Sequence, residues 1–271
     1  MIQRAYITAW RSHTSWPQDS QVEQDLILSR ALVELYSEEA IAKHLAFRGG
    51  TALHKLYLPR SQRYSEDIDL VQVQAGPIGP IMTAIHQRLG PWLGKAQWKQ
   101  GAGRVTLYYR FNTEIEPITS MRLKLEINTR EHFSVFDPVQ HRFEVNNGWF
   151  SGNAEITTYE LDELLGTKLR ALYQRKKGRD LFDLWTASRD AAVNPARLVE
   201  CFERYIEHDG LHISRAEFES NLYEKLDDSS FGRDVEPLLA SGVDWDQSAA
   251  AEYIFTVIAP RLPGDPWKGG K

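Results

Sequence analysis

Cysteine is nearly absent from the 271-residue sequence, which contains only Cys201. A single cysteine cannot form an internal disulfide, and this is typical of proteins of the reducing cytosol. No apolar run approaches the roughly 18 residues that a membrane-spanning helix needs. The first residues also lack the apolar core of a signal peptide. We therefore expect a cytoplasmic protein with no membrane segment.

A strong net charge is also lacking. The formal net charge is −5, which argues against a general nucleic-acid coat protein. The charge is unevenly spread, because the segment from Lys168 to Lys177 is basic and contains no acid. Neither a Walker lysine motif nor a Gly-x-Gly-x-x-Gly motif occurs, so a phosphate site of either kind has no support in the sequence.

Helical and strand-like patterns alternate in the first half of the chain. Apolar residues at helical spacing over 21–45 predict two helices that are broken near Tyr36 and Ser37. Alternation and β-branched or aromatic residues predict strands, the last two of them in a hairpin, over three segments: 65–73, 105–111 and 121–128. From about Thr158 the pattern becomes helical and remains so.

These patterns predict an α+β protein in three parts. The α+β core with its N-terminal helices is expected over residues 1–155, and a helical domain that contributes to an active-site cleft over 156–262. The Gly/Pro-rich residues 263–271 are expected to form a disordered tail.

A glycine pair followed by two spaced aspartates is the most informative feature of the chain. Gly49 and Gly50 open a predicted helix, where backbone N–H groups can approach a phosphate closely. Asp67 and Asp69 occupy alternate positions of a predicted strand, together with Ser65, and so point to one side. Their Cα atoms are expected roughly 6 to 7 Å apart, which suits shared ligation of Mg²⁺. A phosphate cradle followed by paired carboxylates favours a site of phosphoryl or nucleotidyl transfer. The alternative is a polar edge strand whose carboxylates are merely solvated.

Glu126 offers a third carboxylate. It shares one face of the predicted 121–128 strand with Lys124 and Asn128. If this strand lies beside the Asp67/Asp69 strand, Glu126 can complete the metal site or act as the base for an incoming hydroxyl. The alternative is a surface Lys/Glu pair in a sheet.

A lysine falls within an apolar helical stripe of the C-terminal half. Lys168 lies in phase with Leu161, Leu165 and Leu172, and a lysine there is costly unless it meets an anion. A nucleotide phosphate is the favoured partner. The alternatives are that Lys168 pairs with a structural acid or that its ammonium extends to solvent.

A basic cluster follows this helix. Arg175 and Arg179 can hold a triphosphate or an RNA backbone, or they can be the solvated end of a helix. Asp180 can cap the next helix and orient Arg179 or Lys168, whereas a structural salt bridge is at least as good an interpretation for Asp183.

Three sequence blocks together resemble the AbiEii-type nucleotidyltransferase toxins of the DNA-polymerase-β-like superfamily. They occur in the expected order and cover the chain from about 45 to 185. The blocks are Arg48-Gly49-Gly50-Thr51-Ala52-Leu53-His54-Lys55, then Arg63-Tyr64-Ser65-Glu66-Asp67-Ile68-Asp69, then the segment from Lys168 through Arg175, Arg179 and Asp180 to Leu184. Thr51 stands where the superfamily usually has a serine.

The resemblance implies a fold and an activity. The expected fold is a nucleotidyltransferase-like mixed β-sheet with flanking helices, followed by a helical region. The expected activity is that of a toxin of a toxin–antitoxin or phage-defence pair, with an antitoxin encoded adjacently. Such a toxin uses NTP and Mg²⁺, and the most favoured acceptor is the 3′ end of tRNA. A two-metal mechanism is implied.

The resemblance also assigns roles to individual residues, to which the pattern of the 121–128 strand adds Glu126. Asp67, Asp69 and Glu126 are expected to bind metal, and the expected catalytic set is Ser65, Asp67, Asp69, Glu126, Lys168 and Asp180. Nucleotide and phosphate binding is expected of Arg48, Gly49, Gly50, Thr51, Lys55, Arg63, Arg175 and Arg179.

Two other functions remain open at this point. The protein can be an enzyme that nucleotidylates a protein or a small molecule instead of RNA. It can also be a non-catalytic module that binds NTP, although the intact Asp67 and Asp69 argue against this interpretation.

Overall fold

The computed structural model describes residues 2–269, which divide into two compact units. The first contains the residues up to Leu56 and those from Tyr64 to Tyr159. The second contains Tyr57–Arg63 and the residues from Glu160 onward. The short segment 57–63 therefore belongs with the C-terminal helices, although it directly follows the glycine block in the sequence.

The first unit contains five α-helices and seven β-strands among the described residues. The helices are α1 (Arg4–Trp10), α2 (Asp19–Tyr36), α3 (Glu39–His44), α4 (Gly49–Ala52) and α5 (Gly79–Leu93), and a wider helical turn, Leu53–Tyr57, continues α4 into the second unit. The strands are β1 (Leu45–Arg48), β2 (Asp67–Gln72), β3 (Gln97–Gly101), β4 (Arg104–Asn112), β5 (Ser120–Asn128), β6 (Val139–Asn146) and β7 (Ser151–Thr158).

All seven strands form one mixed sheet in the order β3-β4-β5-β2-β1-β7-β6. The pairs β1–β7 and β2–β5 are parallel, and the remaining neighbours are antiparallel. The predicted hairpin of β4 and β5 is present. The prediction of a mixed sheet with flanking helices is therefore confirmed.

Alternation along β5 determines which face of the sheet is buried. Leu123, Leu125 and Ile127 are fully buried, and α2 packs against this strand. Lys124 and Glu126 point to the opposite face and are only half-buried. The apolar face thus forms the core of the unit and leaves the polar face for chemistry.

The second unit is helical. Its helices are α6 (Leu161–Gln174), α7 (Gly178–Asp190), α8 (Pro195–His208), α9 (Arg215–Leu226), α10 (Ser229–Arg233) and α11 (Gln247–Tyr253). Gly166 permits close packing of α6 on α8, because a Cβ there would lie 2.5 Å from the Cβ of Cys201. Among residues 2–269, no helix combines the length and apolar character needed to cross a bilayer.

Two local features differ from the sequence expectations. Strand β3 was not predicted, because its residues are all exposed and it is held by backbone pairing with β4 rather than by apolar burial. The Gly90-Pro91 pair predicts the end of a helix over 81–89, but α5 continues to Leu93. Gly94 follows it with a φ of +80°, a left-handed conformation that glycine tolerates best.

The tail, for which disorder is expected from the sequence, makes defined contacts as far as Trp267. The Pro263 carbonyl accepts a hydrogen bond from the Arg215 amide, and the Trp267 amide donates to Glu219. The Trp267 ring lies 5.0 Å from that of Tyr223. Hydrogen bonds and an aromatic contact therefore hold residues 263–267. Residues 270 and 271 lie outside the described part of the chain.

Candidate active site

Strand register brings the predicted carboxylates together on the polar face of the sheet. Arg48 of β1 lies opposite Asp69 of β2, and Asp69 lies opposite Glu126 of β5. Asp67 lies opposite Lys124 in the neighbouring row. Because directly opposed residues share a face, these side chains form two adjacent rows across three strands.

Lys124 bridges two of the acids. Its ammonium Nζ lies 2.9 Å from Asp67 Oδ2 and 3.2 Å from Glu126 Oε2. Burial lowers the pKa of Lys124, but the Asp67 hydrogen bond and charge outweigh this effect, and the net shift is upward. Burial by itself would raise the pKa of Glu126, but Lys124 and Arg104 outweigh it, and the net shift is downward. The pair is therefore held in its charged form.

Asp69 experiences the opposite balance. Burial, followed by the neighbouring charge of Asp67, raises the pKa of the Asp69 carboxyl, although Arg48 and Lys124 oppose the shift. A carboxylate crowded by a second carboxylate is stabilised by an added cation. Asp69 is thus the acid of this cluster that lacks sufficient positive charge.

Gly49 makes room for the Asp69 carboxylate. It has a φ of +82°, and a Cβ at this position would lie 2.4 Å from Asp69 Oδ2. Both the backbone conformation and the close approach therefore require glycine. Gly50 is buried in the first turn of α4.

Thr51 and Ser65 anchor the start of β2. The Thr51 hydroxyl lies 2.7 Å from Ser65 Oγ and donates a 2.6 Å hydrogen bond to the Asp67 carbonyl. Thr51 is buried. These contacts fix the backbone that carries the Asp67 side chain, and they give both hydroxyls a positioning role.

Two of the basic residues predicted to bind phosphate have acidic partners in this unit. Arg48 Nη1 lies 2.5 Å from Glu131 Oε2, and that partner, with Asp69 nearby, raises the pKa of Arg48 against the effect of burial. Lys55 Nζ lies 2.9 Å from Asp25 Oδ1, and both side chains are largely buried. Lys55 therefore links α2 to the helical turn after α4.

The second unit contains a buried network of charges. Lys168 Nζ lies 2.8 Å from Asp183 Oδ2 and 3.3 Å from Asp180 Oδ1. Arg63 forms two hydrogen bonds to the Asp183 carboxylate, of 2.6 and 2.7 Å. Arg175 forms two to Asp180, of 2.7 and 2.8 Å. The anion that Lys168 meets within this unit is thus a pair of carboxylates.

The electrostatics of this network favour charged acids. Burial raises the pKa of Asp180, but the charges of Lys168 and Arg175 outweigh burial and lower it. Arg179 is half-buried, and within the described residues it forms no ion pair. Of the basic residues predicted to bind nucleotide, Arg179 therefore keeps its charge uncompensated.

Two residues outside the predicted site set contact its members. Lys124 contacts Asp67 and Glu126. The sequence feature that could have indicated it is its position two residues before Glu126, on the same face of the predicted strand. Asp183 joins Arg63 to Lys168, and its spacing of one turn from Asp180 placed both on one face of α7. No local pattern could indicate the pairing of Arg63 with an acid 120 positions away.

The acids of the sheet are suited to a hard cation. Asp67 and Glu126 converge on the ammonium of Lys124, which shows that their oxygens surround a position for positive charge. Carboxylate oxygens are the ligands that Mg²⁺ prefers. Within residues 2–269, no three acidic, histidine or cysteine side chains already converge as ligands of a single metal ion. A metal ion would therefore have to compete with Lys124.

The fold is that of known nucleotidyltransferases. MenT4, a nucleotidyltransferase toxin from Mycobacterium tuberculosis H37Rv, has a similar structure with a TM-score of 0.64 and 16% identity, over 95% of this chain and 90% of that chain. A structure described as a putative nucleotidyltransferase from H. pylori has a TM-score of 0.54 and 16% identity, over 90% and 95%. A search of curated protein sequences found no match.

The sequence also matches a family model over residues 30–253, described as nucleotidyl transferase AbiEii toxin, type IV TA system. The match covers most of the chain. The protein belongs to the AbiEii family and is a nucleotidyltransferase toxin of a type IV toxin–antitoxin system. The resemblance in the three sequence blocks is therefore confirmed, and the family implies an NTP substrate and an antitoxin partner.

Proposed function

We propose that the protein transfers a nucleoside monophosphate from an NTP to the 3′ end of tRNA in a Mg²⁺-dependent reaction. The observation that supports this most directly is the register of β2 and β5, which places Glu126 opposite Asp69 and beside the Asp67 row. Three acids on one face of a sheet, next to a glycine that admits one of them, suit a reaction at a phosphate.

The acids would hold Mg²⁺ as follows. Asp67 and Asp69 are the proposed ligands, and Glu126 either joins them or accepts the proton of the acceptor hydroxyl. When bound, Mg²⁺ neutralises phosphate charge and lowers the pKa of a coordinated hydroxyl. Lys124 would keep Glu126 ionised before the metal ion arrives.

The proposed reaction is an in-line displacement at the α-phosphate. The acceptor oxygen forms a bond to the α-phosphorus as the bond to the bridging oxygen of pyrophosphate breaks. Gly49 and Gly50 are proposed to contact the triphosphate through their backbone. In the helical unit, Lys168 and Arg179 are proposed to bind phosphate.

The biological consequence follows from the acceptor. A tRNA whose 3′ end carries extra nucleotides no longer presents the terminus that is charged with an amino acid, so translation in the cytoplasm stops. We infer that this arrest underlies toxicity, that an adjacently encoded antitoxin relieves it, and that it can serve in phage defence.

Labelled transfer tests the proposal. Purified protein is incubated with each α-³²P-labelled NTP, Mg²⁺ and total RNA, alongside Asp67→Ala, Asp69→Ala and the exposed control Asp137→Ala. We expect label in a tRNA-sized band for wild type and the control only. Transfer by either active-site variant would contradict the assignment of the acids.

The same assay separates the other functions. Label on protein or on a small molecule would indicate a different acceptor for the same chemistry. Tight Mg²⁺-dependent NTP binding without any transfer would favour a non-catalytic module.

A further inference from the structure

A row of cations continues outward from the catalytic acids on the same face of the sheet. Arg122 precedes Lys124 by two residues on β5, roughly 7 Å along the strand. Arg110 of β4 lies directly opposite Arg122. Lys99 of β3 lies opposite Thr106, which in turn lies opposite Glu126. We call Lys99, Arg110 and Arg122 the cationic strip.

The cationic strip lacks compensating acids. All three residues are exposed, and within residues 2–269 none of them forms an ion pair. In the described part of the chain, Arg110 makes one side-chain hydrogen bond, a 3.3 Å contact to Gln97. Like charges directly opposite each other on antiparallel strands destabilise a sheet. The Arg110–Arg122 pair therefore opposes folding and gains stability when an anion binds.

Tyr108 organises the strip. Its ring lies 5.4 Å from the Arg122 guanidinium and 5.8 Å from Lys99 Nζ. Tyr108 also lies opposite Lys124, which contacts Asp67. Cation–π contacts hold the charged groups beside a half-exposed aromatic ring, an arrangement that suits both the phosphates and the bases of a single strand.

We propose that the cationic strip binds the phosphodiester backbone of the acceptor strand as its 3′ end reaches Asp67 and Asp69. The inference rests on the proposed function and specifies how the acceptor is held. A nucleic-acid acceptor carries a regular row of phosphates behind its terminal hydroxyl, which matches the cationic strip in charge. A small-molecule acceptor has no such row.

Direct RNA binding tests the strip without any transfer reaction. Fluorescence anisotropy measures the affinity of 5′-labelled tRNA and of a 5′-labelled single-stranded RNA, both with free 3′ ends. It compares wild type with the double variant Arg110→Gln/Arg122→Gln, without NTP. We expect the double variant to bind at least about tenfold more weakly. The slope of log K against log salt should fall by roughly 1.4, because two phosphate contacts are lost.

A matched variant controls for net charge. Arg4→Gln/Arg60→Gln removes two exposed arginines outside the strip and should leave both RNA affinity and the salt slope unchanged. NTP affinity, measured by calorimetry, should be equal in wild type and both double variants. An unchanged NTP affinity shows that the strip variant is folded. Equal RNA binding by the strip variant and wild type would overturn the inference.

Two further outcomes separate the inference from the proposed function. If the strip variant loses RNA binding but wild type transfers no label to RNA, the surface stands and the transfer reaction is wrong. If a polyglutamate peptide of matched charge binds wild type as tightly as RNA and loses affinity in the strip variant, the surface docks an acidic protein and the inference fails.

Discussion

The ammonium of Lys124 lies 2.9 Å from the carboxylate of Asp67, across the parallel pair of β5 and β2. The same ammonium contacts Glu126 at 3.2 Å. A protein cation therefore occupies the space on which two of the proposed catalytic acids converge. This arrangement offsets the repulsion between the two neighbouring carboxylates.

Replacing Lys124 with methionine should strengthen divalent-metal binding. The substitution removes the positive charge that competes for Asp67 and Glu126 while keeping the side chain's length. We expect the affinity for Mn²⁺, measured by calorimetry, to rise by about tenfold. The exposed Lys43→Met serves as the control, and an unchanged or weaker affinity in Lys124→Met would show that the ammonium does not compete with the metal ion.

Substitution of Gly49 by alanine should impair both folding and transfer. The new Cβ would clash with the Asp69 carboxylate in addition to the strain of a positive φ. Gly94→Ala is the matched control, because Gly94 has a φ of +80° but nothing within 4 Å of its Cβ position. We expect Gly49→Ala to lower the free energy of unfolding by about 1–3 kcal/mol more than the control does. Chemical denaturation measures the difference, and equal losses would mean that Asp69 moves aside freely.

Arg63→Gln should destabilise the protein by about 3–5 kcal/mol, because it leaves the buried Asp183 without its two-bond partner. The side chains of Arg63 and Asp183 are 4% and 0% exposed. The exposed Arg60→Gln should have little effect on urea unfolding. If Arg63→Gln is as stable as wild type but binds NTP more weakly, the result would instead support the role in phosphate binding that the sequence predicts.

Lys168→Ala should shift acid unfolding to higher pH. Lys168 and Arg175 hold the pKa of Asp180 below its ordinary value of 3.8. A carboxyl whose pKa is lowered by folding stabilises the protein above its unfolded pKa and loses that contribution as the pH falls through its folded pKa. Without Lys168 this contribution shrinks, so the midpoint of acid unfolding, followed by circular dichroism, should rise.

The same variant tests the nucleotide role of Lys168. We expect NTP use to weaken, as a raised Michaelis constant in the transfer assay. The exposed Lys43→Ala is a control that should leave both measurements unaltered. An acid midpoint equal to that of wild type would show that Arg175 alone sets the pKa of Asp180.

Local patterns predicted much of the fold and part of the site. Alternation along β2, β4 and β5 determines which residues share a face, because successive strand residues point to opposite sides. It placed Asp67 with Asp69 and Lys124 with Glu126. The position of Lys168 in an apolar stripe likewise required an anionic partner. Strand β3 escaped prediction because none of its side chains is buried.

The sequence by itself determined the family, through three short blocks, and the chemistry available in each element. Only the tertiary structure decided which elements are neighbours. Parallel pairing of β2 with β5 aligned Glu126 with Asp69, and packing within the helical unit joined Arg63 to Asp183. Such contacts join residues far apart in the chain, and their geometry follows from strand order and the burial of apolar faces, which no local pattern encodes.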